Sequence, residues 1–240
     1  MSVRTDDEDG VRVVTIDRPD KRNAIDRHVY AGLDAAFTDA VGRDDLGAVV
    51  LTGAGRESFC AGADRGELAA VAAGEGREFA RVANKFCDGL LTYPKPVIMA
   101  VNGVGVGMGT TLLGYADLAF AAESARFRTP FTAMGVSPEL GSSWLLPHLV
   151  GWQRASWMLL SSEWVDAQTA AAWGLVMEVV ADDALLERAV AAGRAIAGRD
   201  PASVQAVKRT LVDWRVEPVT RALEKEKEEF GPLLRKSPPR

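Results

Sequence analysis

The sequence predicts an α/β fold with a helical C-terminal region. Two continuous apolar runs, Ala48–Leu51 and Val97–Val101, read as strands buried on both faces. Segments of helical period follow strands through roughly the first three quarters of the chain. The last quarter carries helical period alone. Such alternation argues for layered α/β architecture rather than separate blocks of strand and helix.

The elements follow in order. Val11–Ile16 is rich in β-branched residues and reads as a strand. Asp17–Ala24 contains Pro19, Asp20 and Asn23 and reads as a loop. Asp26 can cap a helix whose apolar face is Val29, Leu33, Phe37 and Ala40. The strand at Ala48–Leu51 ends in Thr-Gly, and Gly53–Gly66 reads as a loop. Glu67–Leu91 reads as a polar helix with a break near Gly74 and Gly76. Pro96 opens the strand Val97–Val101, and the Gly-rich turn Asn102–Gly109 leads into a short apolar helix. Leu118–Ala121 is a third buried strand, and Ala125–Phe127 begins a fourth. Asp182–Ala197 is a helix with Leu185, Ala189, Ala192 and Ile196 on one face. Val204, Val207, Leu211 and Trp214 define the next, and Val219–Phe230 is a charge-rich helix.

Composition excludes several functions. The chain has 240 residues, 48% hydrophobic and 25% charged, so it can bury a core in one compact domain. Its net charge of −5, with no basic block, argues against nucleic-acid binding, which needs clustered Lys and Arg. Cys60 and Cys87 lie at neither disulfide-framework nor metal-ligand spacing. No apolar run approaches the ~20 residues of a membrane-spanning helix. The acidic opening MSVRTDDEDG is unlike a secretory or transit signal, and the ending Ser-Pro-Pro-Arg is no peroxisomal address. The expected location is the cytoplasm, with no membrane partner.

The turn Gly103-Val-Gly105-Val-Gly107-Met-Gly109 admits two readings. It is either a tight turn that needs glycine conformations, or a set of backbone N–H groups facing a ligand. No frame gives the GxGxxG spacing of a dinucleotide site. Other segments bear on the choice. Phe59-Cys-Ala-Gly-Ala-Asp64 follows a buried strand, Lys95-Pro-Val-Ile-Met-Ala-Val-Asn-Gly103 precedes the turn, and Asp17-Arg-Pro-Asp-Lys-Arg-Asn-Ala24 opens the chain. Together with Val165–Leu175, these segments resemble, in order, the motifs of the crotonase (enoyl-CoA hydratase/isomerase) family.

The resemblance implies a spiral of ββα turns over residues 1–180, holding an acyl-CoA site. Residues 181–240 would form a helical region serving assembly into a homotrimer or hexamer. It implies fatty acyl-CoA metabolism, CoA as part of the substrate, and no metal or redox cofactor. The family's two oxyanion donors fall on the backbone of Ala63 and Met108. Met108 stands where the family usually has Gly. Substrate contacts fall on Arg22, Ala24, Ala61, Gly62, Asp64, Arg65, Gly107 and Phe131. Lys21 and Arg22 are either CoA-phosphate contacts or solvated surface charge. Asp64 either orients its loop or meets ligand.

Hydratases of the family use two glutamates, at positions that align with Thr111 and Phe131. Neither is acidic here. Ser137-Pro-Glu139-Leu-Gly-Ser-Ser143 instead resembles the peroxisomal-type Δ3,Δ2-enoyl-CoA isomerases, in which one Glu is the sole base. The resemblance therefore implies isomerisation with Glu139 as the proton shuttle. Another crotonase reaction such as hydration, or an acyl-CoA-binding protein without catalysis, stand as alternatives. Glu139 also fits a plainer role as a carboxylate in a helix first turn. An apolar surround would raise its pKa and a helix N-terminus would lower it. His28 and His148 lack a neighbouring nucleophile motif, and His28 reads as exposed. Cys60 reads as a packed thiol. The run Glu224–Glu229 reads as a solvated helix face. Trp152, Trp157 and Trp164 belong either to the core or to a subunit interface.

Overall fold

The computed structural model describes residues 2–236. Met1 and the Ser237–Arg240 ending, on which the reading of no peroxisomal address rests, lie outside them. The chain runs β1 (Val3–Glu8), β2 (Val11–Ile16), α1 (Arg27–Val41), β3 (Ala48–Gly53), β4 (Ser58–Cys60), α2 (Arg65–Ala72) and α3 (Arg77–Leu91). It continues through β5 (Val97–Val101), β6 (Val104–Val106), α4 (Met108–Thr111), β7 (Leu118–Ala122), β8 (Arg126–Arg128), α5 (Ser142–Val150) and α6 (Trp152–Ser161). It closes with β9 (Val165–Asp166), α7 (Ala167–Trp173), β10 (Glu178–Val180), α8 (Leu185–Ala197) and α9 (Pro201–Lys236).

Successive ββα turns send their two strands to different sheets. The first strands form a six-stranded sheet in the order β1-β2-β3-β5-β7-β10, and the second strands a four-stranded sheet, β4-β6-β8-β9. Pairing is parallel from β2 through β10 and from β4 through β8. The chain thus winds as the expected spiral. β2, β3 and β5 are buried along their whole lengths, which is why Ala48–Leu51 and Val97–Val101 read as apolar runs; β2 buries Arg12 and Thr15 as well. α8 lays Leu185, Ala189, Val190 and Gly193 on the larger sheet, where Gly193 fits between Val11 and Ile98.

Two motif residues prove to be struts. Lys95 is buried, and its ammonium donates to the carbonyls of Ala40 (2.6 Å), Arg43 (2.6 Å) and Leu46 (2.8 Å). It ties the C-terminal end of α1, where a cation is favoured, to the start of β5. Asn102 donates to the carbonyls of Gly53 and Gly55 and accepts from the Gly53 N–H, joining the ends of β3 and β5.

The structure departs from the sequence reading in several places. The acidic N-terminal stretch is a strand, β1, paired antiparallel with β2; it is charged because it is an exposed sheet edge. Ser58–Cys60, read as loop, is the short buried strand β4. Three residues are too few to show a period. Glu67–Leu91 divides into α2 and α3 at residues 73–76, as the two glycines suggested. The two C-terminal helices are one, α9, which passes through Pro218 and Pro232. Glu226, within the run read as a solvated face, is buried at 6% exposure. Val207, Leu211 and Trp214 point outward from the single chain.

Candidate active site

Strand register brings two loops together. β4 lies parallel to β6 with Cys60 opposite Gly105, so Ala63 and Met108 each follow three residues beyond a matched pair. A side chain on Gly109 would strike the Cys60 carbonyl, and Gly107 has φ +53°, so both glycines serve the turn itself. Ile25 pairs with Ala63 through the residues on either side of it. The Ile25 N–H donates to the Gly62 carbonyl (2.8 Å) and the Asp64 N–H to the Ile25 carbonyl (2.8 Å). The Ala63 N–H therefore turns away from residue 25. Met108 is the first residue of α4, where an N–H has no helical acceptor. Neither amide has an acceptor among the described residues.

Ala63 and Met108 both line a cavity of about 1180 Å³. Its lining includes Ala61, Gly62, Arg65, Gly107, Phe131 and Glu139. Tyr30, Phe79 and Cys87 form an apolar end, and α9 contributes Leu223, Glu226, Lys227 and Phe230. The Tyr30 hydroxyl donates to the Met108 sulfur at 2.7 Å, so the side chain that replaces the family's usual hydrogen is held against the wall.

Glu139 is a half-buried residue that faces this cavity. The Thr111 hydroxyl donates to its Oε1 at 2.8 Å. Burial pushes its pKa up to about 7, the Thr111 hydrogen bond opposes the rise, and the charge of Glu226 adds to it. Of the two influences left open by the sequence, desolvation wins. The reason lies at α5. Its first amides do not serve Glu139: the N–H groups of Gly141 (2.7 Å) and Ser143 (2.8 Å) donate to the Glu226 carboxylate. Glu226 occupies the helix end and Glu139 is left in the cavity.

The other candidate residues divide. Ala61, Gly62, Ala63, Arg65, Gly107, Met108, Phe131 and Glu139 share the cavity wall. Arg22, Ala24 and Asp64 do not reach it. The Arg22 carbonyl accepts from the Ala61 N–H (3.0 Å), and its side chain and that of Lys21 are exposed. Asp64 caps α2 through the Gly66 N–H (2.9 Å) and accepts from Arg18 (3.3 Å), which is the loop-orienting role. Cys60 is fully buried and its thiol pKa rises to about 12 through desolvation, as a packed thiol requires. His28 is exposed. No group of three or more metal-ligating side chains is placed to hold an ion among the described residues.

Sequence reasoning missed Glu226 and Asn23. The signal for Asn23 is its motif position; for Glu226 there is none in a run of alternating charges. Asn23 is fully buried at φ +56°, accepts from the Arg18 N–H (3.0 Å) and donates to the carbonyls of Ala54 (2.9 Å) and Ser58 (2.6 Å). It fastens the opening loop to β4 and so to the amide of Ala63. Asn23→Ala is expected to lower unfolding free energy by about 2–4 kcal/mol, because it orphans buried backbone groups. Urea denaturation checks this; a loss below about 0.5 kcal/mol contradicts the role.

A spiral of ββα turns closed by helices, with one deep cavity against the loops of the smaller sheet, is the crotonase class of fold. The chain belongs to the enoyl-CoA hydratase/isomerase family, whose model matches residues 6–237. It is 34% identical to the short-chain-enoyl-CoA hydratase of Clostridium acetobutylicum, over 92% of this chain and 85% of that protein. It is 37% identical to enoyl-CoA delta isomerase 2 of Rattus norvegicus over 72% of this chain, which spans 44% of that longer protein. Among solved structures, the enoyl-CoA hydratase/isomerase of Pseudoalteromonas atlantica T6c superposes with TM-score 0.88 at 31% identity, covering 98% of this chain and 92% of that one. The family acts on acyl-CoA substrates and its chemistry is of the hydratase/isomerase type. No helix among the described residues is long and apolar enough to cross a membrane.

Proposed function

We propose that the protein moves the double bond of a 3-enoyl-CoA to the trans-2 position. The observation that carries this reading is Glu139, a carboxylate with pKa near 7 facing the cavity that Ala63 and Met108 border. The positions at which the family's hydratases place glutamates hold Thr111 and Phe131, and Thr111 instead supports Glu139. The thioester carbonyl would lie between the two free amides. Glu139 takes a proton from C2, the electron pair moves onto the thioester oxygen, and the two N–H groups hold that charge. The enolate then collapses with protonation at C4 by the same carboxyl, leaving a conjugated double bond between C2 and C3. A group that must accept and return one proton near neutral pH works best with a pKa close to 7.

Arg65 at the cavity and the exposed Lys21 and Arg22 offer cations to the CoA phosphates; Ala24 and Asp64 shape the loop beneath them. The mechanism needs no metal or redox group beyond the CoA of the substrate. A cytoplasmic setting and assembly into a homotrimer or hexamer complete the reading. The exposed apolar side chains of Trp152, Trp157, Val207, Leu211 and Trp214 support assembly. A hydratase reading is favoured by the Clostridium relative and by the second carboxylate, Glu226, on the cavity wall.

Incubation with 3-hexenoyl-CoA separates the readings. Isomerisation is expected to raise the absorbance of a conjugated enoyl thioester. Faster hydration of 2-hexenoyl-CoA than isomerisation overturns the proposal in favour of a hydratase. Tight binding of acyl-CoAs without turnover makes the protein a binder.

A further inference from the structure

The segment that carries Glu139 has no regular structure to hold it. Residues 137–141 join a short turn to α5, and Leu140 and Gly141 lie at φ +60° and +67°. A left-handed conformation costs a residue with a side chain about 1–2 kcal/mol, so something outside the segment must define it. Local bonds secure its start: the Ser142 N–H (3.1 Å) and hydroxyl (2.6 Å) donate to the Glu139 carbonyl. The Tyr115 hydroxyl donates to the Leu140 carbonyl (2.9 Å).

The remaining fastening comes from far along the chain. Both oxygens of Glu226 are taken by amides of Gly141 and Ser143, which bracket the entry to α5. Glu226 is buried, whereas Lys225 and Glu228 beside it on α9 pair in solvent. No cation pairs with Glu226 among the described residues, and an unpaired buried carboxylate is costly. Core packing of α9 gives no reason to retain it, because an apolar side chain would pack at lower cost. Its geometry gives one. It satisfies two amides at the entry to α5 that would otherwise lack a partner, and it fixes the peptide planes on either side of Gly141.

We infer that Glu226 is a positioning residue for Glu139: from α9 it clamps the Gly141 and Ser143 amides, holding the base-bearing segment so that the Glu139 carboxyl stands in the cavity instead of capping α5. This rests on Glu139 being the proton shuttle. It makes the C-terminal helix part of the catalytic apparatus. Tyr115 and Glu139 are the titratable groups that face Glu226; Lys227 follows it on the cavity wall, and Arg215 lies over the Tyr115 ring.

The test uses the full chain with 3-hexenoyl-CoA in D2O, reading conjugated product and deuterium at C4, for Glu226→Gln, Glu226→Asp and Glu139→Gln. Glu226→Gln keeps the shape but offers one acceptor oxygen where two amides donate. It is expected to lower kcat by about 10- to 100-fold, consistent with misplacing a general base. KM should stay within about twofold, and the pH midpoint of kcat should fall because a like charge is gone. Glu226→Asp retains the charge but not the reach, so kcat falls with a smaller change in midpoint. In the wild type, the Gly141 and Ser143 amide proton shifts should titrate together, a signature that needs no variant to fold. Wild-type kcat and midpoint in Glu226→Gln, with Glu139→Gln inactive, overturn the positioning role and leave the shuttle assignment standing. Full turnover by Glu139→Gln overturns both. Loss of 2-hexenoyl-CoA hydration alone in Glu226→Gln also overturns it, making Glu226 a direct acid. Amide shifts that do not titrate together do so as well.

Discussion

Glu139→Gln abolishes double-bond migration yet still binds 3-hexenoyl-CoA. The expected fall in kcat is about 10²–10⁴-fold, the usual contribution of a positioned base. Glutamine preserves shape, and its carbonyl can still accept from Thr111, so the cavity and the two amides stay as they are. Only the proton acceptor is gone. Rapid turnover by the variant refutes the shuttle, and loss of binding with loss of fold leaves the assignment without this support.

The same substitution should make the protein more stable above neutral pH. Glu139 has an ordinary pKa of 4.5 unfolded and about 7 folded. Between those values the folded state holds a proton that the unfolded state has released, so stability falls as pH rises. The penalty reaches about 3 kcal/mol well above pH 7, and is absent below about pH 4. Glutamine never ionises. Its midpoint in urea should exceed that of the wild type at pH 8 and converge with it at pH 4. Equal midpoints at pH 8 contradict a desolvated carboxylate.

Met108→Pro should be nearly as damaging, and Met108→Ala mild. Loss of a single oxyanion donor costs about 10²–10³-fold in kcat. Proline has no N–H, yet position 108 opens α4, where proline is tolerated and no helical hydrogen bond is lost. The preceding Gly107 has no Cβ to meet the ring. Circular dichroism should therefore show a folded variant. Alanine keeps the N–H; it forfeits the buried packing of the Met108 side chain and its contact with the Tyr30 hydroxyl, which act on stability and not on the donor. Equal damage from both substitutions would assign the role to the thioether and not to the backbone.

Much of this site was legible because its chemistry is carried by backbone. Gly107 and Gly109 mark a turn that only glycine can make, and the segment Phe59–Asp64 marks its partner. Buried strands β3 and β5 were visible as apolar runs, and β2 by its β-branched residues. β4 was not, since its three residues owe their strand conformation to β6 and to Asn23. β1 was hidden by its charges, which belong to a sheet edge. Ala24 and Asp64 were placed near the substrate by motif, but the Ala24 carbonyl and the Asp64 carboxylate are bonded within the loop behind the cavity wall, and Arg22 is bonded there through its carbonyl with its side chain exposed.

Sequence by itself determined the α/β class, the two amide-bearing loops and the carboxylate that faces them. Each is encoded by neighbours within a few residues: periodicity, turn glycines, a short motif. Tertiary structure decided the state of that carboxylate. Whether Glu139 caps a helix or stands protonated near neutrality depends on what else reaches the first amides of α5. That group is Glu226, 85 positions away by the hydrogen bond to Gly141. Desolvation and long-range charge depend on the path of α9 across the cavity, and no local pattern in Glu224–Glu229 distinguishes the one buried carboxylate from its solvated neighbours.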